Sequence, residues 1–114
     1  MTPIQFLQAA TTLYPDLQAE LAGYDGLFHL QMDRFRVRVE RDIRARDESA
    51  VKAALTLAAR ACAGGDAMVR SAVDTSFAEA LFAGHSAEDA AWAWARTPDT
   101  LRRLYLAVWG RPPL

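Results

Sequence analysis

The sequence predicts an all-α fold, a single-domain irregular helical bundle of five to seven helices. Three observations carry this. Apolar residues recur at three- and four-residue steps through most of the chain, the period of one helix face. No segment alternates apolar and polar residues with period two over a useful length, so no sheet is expected. The glycines and prolines fall between the periodic segments.

Thr2-Pro3 starts the first helix, with Thr as cap and Pro at the first helical position. Ile4, Phe6, Leu7, Ala10 and Leu13 follow, and Tyr14-Pro15 ends it. Asp16 to Leu21 is short and acidic, a helical turn or two stopped by Gly23, and Tyr24-Asp25-Gly26 reads as a turn. Leu27 to Arg46 is the longest periodic segment. Phe28, Met32, Phe35, Val39 and Ile43 form its apolar face. Six arginines decorate the rest: Arg34, Arg36, Arg38, Arg41, Arg44 and Arg46. Arg36, Glu40 and Arg44 are four apart, as are Arg38, Asp42 and Arg46, so each carboxylate has an arginine on either side. A solvated, salt-bridged face is the simplest reading. A nucleic-acid stripe or a surface for an acidic protein are the alternatives.

Asp47 is the expected cap of the next helix, whose stripe is Val51, Leu55, Ala58 and Cys62 and which ends at Ala63-Gly64-Gly65. The stretch from Gly64 to Phe82 reads as the central and most buried helix. Asp66 caps it, Val69, Val73, Phe77, Ala80 and Leu81 form its stripe, and Gly84 closes it. Ser86 caps the following helix, with Asp89 completing an approximate capping box. Thr97-Pro98 repeats the start signature of Thr2-Pro3. The last helix carries Leu101, Leu104, Tyr105 and Val108 and ends at Trp109-Gly110. The domain is thus residues 1–110, and residues 111–114, Arg-Pro-Pro-Leu, form a loose tail.

Composition excludes several function classes. At 114 residues the chain holds one modest core. A formal net charge of −1 supplies no field to attract nucleic acid or an anionic membrane. Cys62 is the single cysteine, so no intrachain disulfide forms, and its alanine neighbours suit a buried, unreactive thiol. No signal peptide and no membrane-spanning run is visible, which makes the cytoplasm the expected location.

Little in the sequence carries chemistry. Neither His29 nor His85 has partners at metal-ligand spacing, and no cofactor or metal is expected. Ser49, Ser71, Ser76 and Ser86 lack a nucleophile-elbow context, and Gly64-Gly65 alone makes no phosphate loop. Glu79 stands near the edge of its helix's apolar face, either paired with an arginine or acting as a functional acid. A small enzyme using Glu79 and His85 is the catalytic alternative. Trp92 and Trp94 point about 200° apart on a helix, so one is covered by the C-terminal segment or exposed. An exposed tryptophan beside Glu88 and Asp89 would suit a protein interface.

Two segments carry a resemblance. GDAMVRSAVDTSFAEALF (Gly65–Phe82) and TPDTLRRLYLAVWG (Thr97–Gly110) resemble a family of small helical bacterial proteins. That family shares a G-D-x-x-V-x-x-A helix, an F-x-E-x-L motif and a P-x-x-L-R-x-x-Y-x-x-x-W-G ending. The matching residues are Gly65, Asp66, Val69, Ala72, Phe77, Glu79, Leu81, Pro98, Leu101, Arg102, Tyr105, Trp109 and Gly110. Ala78, where the family often has an aliphatic residue, and the alanine-rich bridge Ala90–Ala95 depart from it. Members are often encoded beside polymorphic toxins. The resemblance therefore implies a non-enzymatic immunity protein that binds a cognate toxin and occludes its active site. The expected contacts are Asp16, Glu20, Asp25, Glu88 and Asp89, acids suited to a basic toxin cleft, with Trp92 and Trp94. The competing reading is a scaffold or adaptor that forms a homo-oligomer.

Overall fold

Most helix starts in the chain have a local chemical cause. The computed structural model describes residues 1–114 and contains helices and turns with no strand. Helix α1 (Pro3–Leu13) opens with a full capping box. The Thr2 hydroxyl accepts from the Gln5 N–H at 3.2 Å, and the Gln5 side chain accepts from the Thr2 N–H at 2.9 Å. A 3₁₀ turn (Pro15–Leu17) leads into α2 (Gln18–Ala22) and then α3 (Phe28–Arg44). Helix α4 (Glu48–Gly64) is capped by Asp47, which accepts from the Ala50 N–H at 3.2 Å. Helix α5 (Ala67–Ala72) is capped by Asp66, which accepts from the Val69 N–H at 2.9 Å. After a π-helical segment (Val73–Ala78) come α6 (Ala87–Ala95), capped by Ser86, and α7 (Asp99–Trp109).

The aromatic centre of the core is Phe35, fully buried on α3. Three rings meet it. Phe6 of α1 packs edge-on at 5.3 Å, Tyr14 tilts at 5.9 Å, and Phe77 of the π segment stacks at 5.6 Å. The rest of the α3 stripe, Phe28, Met32, Val39 and Ile43, is buried as its spacing requires. Beside this apolar centre runs a polar one. The Tyr14 hydroxyl donates to Asp42 Oδ2 at 2.7 Å, and Arg38 donates to Asp42 Oδ1 at 2.6 Å and to Asp16 at 3.2 Å. Asp42 is 7% exposed, so its two donors are what make that burial tolerable. Burial and the hydrogen bond to Asp42 push the Tyr14 phenol well above its ordinary range.

Five local expectations are corrected. First, Gly64 to Phe82 is not one helix. The α winding stops at Ala72, and the Glu79 N–H donates to the Asp74 carbonyl five residues back, at 3.1 Å. In an α-helix Phe82 would stand about 140° round from Phe77. The wider turn reduces that angle, so Phe77, Ala78, Leu81 and Phe82 are all buried, while Ala80 is only half-buried. Nor is this stretch alone at the centre, since α3 buries as continuous a stripe. Second, Thr97 does not cap α7. Its buried hydroxyl donates to the Ala93 carbonyl at 2.8 Å and so closes α6, leaving Pro98 at the start of α7 without a side-chain cap. Third, the Ser86–Asp89 box is half-formed: Ser86 accepts from the Asp89 N–H at 3.1 Å, but the Asp89 carboxylate turns to Arg46. Fourth, Val108 is exposed, because α7 packs on α4 and the π segment with one side only. Fifth, Cys62 is half-buried rather than buried, and desolvation raises its thiol pKa.

Gly65 is required by a close approach. Its backbone is extended, at φ −79 and ψ 157, which any residue adopts. A Cβ there would run into the Ala61 carbonyl oxygen and the Val69 side chain, whereas one at Gly64 would meet open space. Gly65→Ala should therefore cost about 1–3 kcal/mol through overpacking. Gly64→Ala should be neutral or stabilising by about 0.5–1 kcal/mol. Chemical denaturation of the two variants checks the contrast. In the same assay Phe77→Ala, which removes a fully buried ring, should cost about 3–5 kcal/mol.

Candidate partner-binding surface

The expected acidic contacts are largely engaged inside the molecule. Asp16, on the 3₁₀ turn, holds Arg38 at 3.2 Å, Glu20 of α2 lies 3.6 Å from Arg34, and Asp89 of α6 holds Arg46 at 2.7 Å. The hydrogen bond from Arg46 holds the Asp89 carboxyl below its ordinary range. Only Asp25, in the turn before α3, and Glu88, in the first turn of α6, are exposed and free of ion pairs.

The arginine face of α3 is salt-bridged at four-residue spacing as expected, but it is solvated only in part, at Arg41, Arg44 and Arg46. Arg36 reaches Asp33 at 2.5 Å and Glu40 at 3.3 Å, and Arg38 bridges Asp16 and Asp42. Both side chains are mostly covered. Glu40 and Asp42 each take the arginine four residues before them, while Asp33 is held by Arg34 and Arg36 after it. Arg44 and Arg46 do not complete the expected triplets.

Arg46 escapes because α3 ends before it. The Arg46 N–H donates to Ile43 and the Asp47 N–H to Asp42, each at 3.1 Å, which is a Schellman turn. Arg46 occupies its left-handed position at φ 56, where glycine is usual and another residue is strained by about 1–2 kcal/mol. The turn carries the guanidinium to Asp89 and to within 5.4 Å of the Trp92 ring centre. Arg96 lies 4.1 Å from the same ring. Trp92 is thus half-buried under two cations. Trp94 points the other way and packs edge-on against Phe82 and Tyr105, each at 5.5 Å, so α7 rather than the tail covers it. Neither is an exposed anchor.

The exposed tryptophan is Trp109, at 55%. Its indole N–H donates to the Glu79 carbonyl at 3.0 Å, which fixes the ring at the rim of a shallow groove of about 150 Å³. Glu79, Phe82, Ala83 and Tyr105 complete the lining, and the Glu79 carboxylate has no ion-pair partner. Leu106, three residues earlier on α7, is also exposed and lies beside Trp109 on the helix surface. In the sequence Trp109 reads as a helix-end marker. The available signal was crowding: Leu104, Tyr105, Leu106, Val108 and Trp109 fall within six positions, more than one helix face can bury.

Two side-chain pairs have chemical potential. His29 Nδ1 on α3 lies 3.2 Å from the Ser76 hydroxyl on the π segment. The ring's hydrogen-bond partners are both hydroxyls, Ser76 and Thr75, so no carboxylate orients it as a general base. His85 is not paired with Glu79. It packs against α3 with its side chain 1% exposed, its Nε2 3.9 Å from Glu40 and neither ring nitrogen hydrogen-bonded. Burial, then the nearby Arg44, lowers its pKa below the ordinary 6.5, and burial raises that of Glu40. Arg44, Glu40 and Asp89 are the charges around this ring, and Asp89 opposes the lowering.

A depressed histidine pKa stabilises the fold above the ordinary value and loses that contribution as pH falls through the folded-state pKa. The raised Glu40 pKa acts in the opposite sense. As pH falls from about 7 to 5 the His85 contribution is lost while that of Glu40 is gained, so His85 by itself makes the melting temperature decline over this range. In His85→Leu that decline should be reduced, which scanning calorimetry across the range checks.

No three His, Cys, Asp or Glu side chains gather as they would around a metal ion, and no helix is long and apolar enough to cross a membrane. No curated protein and no solved structure matches the chain. The model of a family described as a domain of unknown function (DUF7674) matches residues 5–110, from the first turn of α1 to the glycine that closes α7. This chain belongs to that family.

Proposed function

We propose that the chain is a cytoplasmic, cofactor-free immunity protein: it binds a cognate toxin domain, has no catalytic activity of its own, and occludes the toxin's active site. The observation that carries the binding part of this reading is Trp109. A large aromatic side chain, fixed by its own hydrogen bond yet more than half exposed, is the usual anchor of a protein interface. Leu106 widens its apolar contact, and Glu79, which lines the same groove and has no ion-pair partner, can meet a partner's cation, with Arg111 the opposite charge near Tyr105. Asp25 and Glu88 are further free acids available to such a partner. Asp16, Glu20 and Asp89 serve internal ion pairs, and Trp92 and Trp94 internal packing. The toxin as partner rests on the resemblance of Gly65–Phe82 and Thr97–Gly110. Neither nucleic acid nor a membrane is a partner in this reading.

Where the adjacent reading frame ends in a toxin domain, co-expression with its product should rescue growth, and the two proteins should co-purify. Trp109→Ala should weaken the complex by about 30-fold or more, the effect of losing an interface anchor. Glu79→Lys should slow association, and Arg41→Glu should change neither. Equal killing in the presence of this protein would overturn the immunity reading. A homo-oligomer of defined mass formed without a second protein would favour the scaffold instead.

A further inference from the structure

Helices α1 and α4 leave a groove between their outer faces, of about 560 Å³, that shares no residue with the Trp109 surface. Ala9 and Leu13 of α1 and Ala53 and Leu57 of α4 are its apolar lining. The groove is open because Ala9 and Ala53 stop at Cβ where longer side chains would fill it. Thr12 and Thr56 add hydroxyls. That of Thr12 donates to the Gln8 carbonyl at 2.9 Å, while that of Thr56 makes no intramolecular bond.

The remaining lining residues are Lys52 and Arg60, and no carboxylate lines the groove. Lys52 shares Glu48 with Arg96, at 3.1 and 3.3 Å, so one negative charge serves two cations. Arg60 is exposed and has no ion-pair partner. The groove is therefore apolar along its floor with net positive charge. The cations stand eight residues apart on α4, about 12 Å along its axis.

We infer that this groove is a second docking site, and that its occupant is an acidic amphipathic helix of a partner protein. An apolar stripe at i, i+4 and i+7 fills the floor, and two carboxylates about two turns apart meet Lys52 and Arg60. The charge pattern excludes a basic helix, which would face both cations across a low-dielectric contact. The inference stands independently of what Trp109 binds.

The probe is a fluorescein-labelled, alanine-based helical peptide with leucine at i, i+4 and i+7 and two glutamates eight positions apart. A control peptide carries lysines in place of the glutamates. Fluorescence anisotropy should show saturable binding of the first peptide and binding of the second weaker by about tenfold or more. The double variant Lys52→Glu, Arg60→Glu should invert that preference. Ala53→Arg, an exposed substitution compatible with the helix, should fill the groove and abolish binding with the circular dichroism unchanged. Amide shifts in the complex should cluster on Ala9, Leu13, Ala53 and Thr56. Absence of saturable binding overturns the proposal. So does equal affinity for both peptides, an unchanged preference in the double variant, or a shift map centred on Trp109. A homodimer that Ala53→Arg dissociates would overturn it too, by seating a second copy in the groove.

Discussion

The ring of Phe35 is the contact on which the remaining packing depends. It sits mid-way along α3, and the rings of Phe6, Tyr14 and Phe77 converge on it from α1, from the end of α1 and from the π segment. A chain this short has one core. Elements far apart in sequence must therefore bury their large side chains at a common place. Phe77 sets the depth of the π segment, and the segment's wider winding lets Phe82 turn inward to a second aromatic group with Trp94 and Tyr105. The unusual backbone between Val73 and Ala78 is thus the geometry that serves both aromatic groups from one short stretch. Its cost is a poorer hydrogen-bond ladder, partly met by Thr75, whose hydroxyl donates to the Ser71 carbonyl at 3.0 Å.

The charged residues are organised inward as much as outward. Arg38 joins α3 to the 3₁₀ turn through Asp16 and satisfies the buried Asp42 with Tyr14. Arg46 ties the end of α3 to α6 through Asp89 and Trp92. Such pairs add little stability where they are exposed, and their larger effect is to fix which helix lies beside which. They also remove charge from the surface. Exposed charges outside these pairs remain in both signs, among them the acids Asp25, Glu88 and Asp99 and the cations Arg41, Arg44, Arg60, Arg70, Arg103 and Arg111, with Glu79 half-buried on the Trp109 groove. The anchored aromatic Trp109 lies in the midst of this mixed surface charge.

Much of the fold was legible because helix signals are local. The stripe Phe28, Met32, Phe35, Val39, Ile43, the caps Thr2, Asp47, Asp66 and Ser86, and the stops at Gly65 and Gly110 each depend on neighbours within a few residues. The candidate site was less legible. Asp16 and Asp89 read as free surface acids because their partners Arg38 and Arg46 lie 22 and 43 residues away. Trp109 read as an end marker because its exposure depends on how little of α7 the core accepts.

By itself the sequence determined an all-helical chain, the positions of most helix ends and the core face of α3, since apolar period and capping chemistry act over one or two turns. Tertiary structure alone decided the rest. It converted the second half of the expected central helix into a π segment, because Phe77 and Phe82 had to reach two different aromatic groups. It sent Thr97 back to close α6, and Arg46 across to Asp89. It also chose which tryptophan stays in solvent. Each of these follows from which helices lie side by side, and that is set by competition for a single core that no local pattern records.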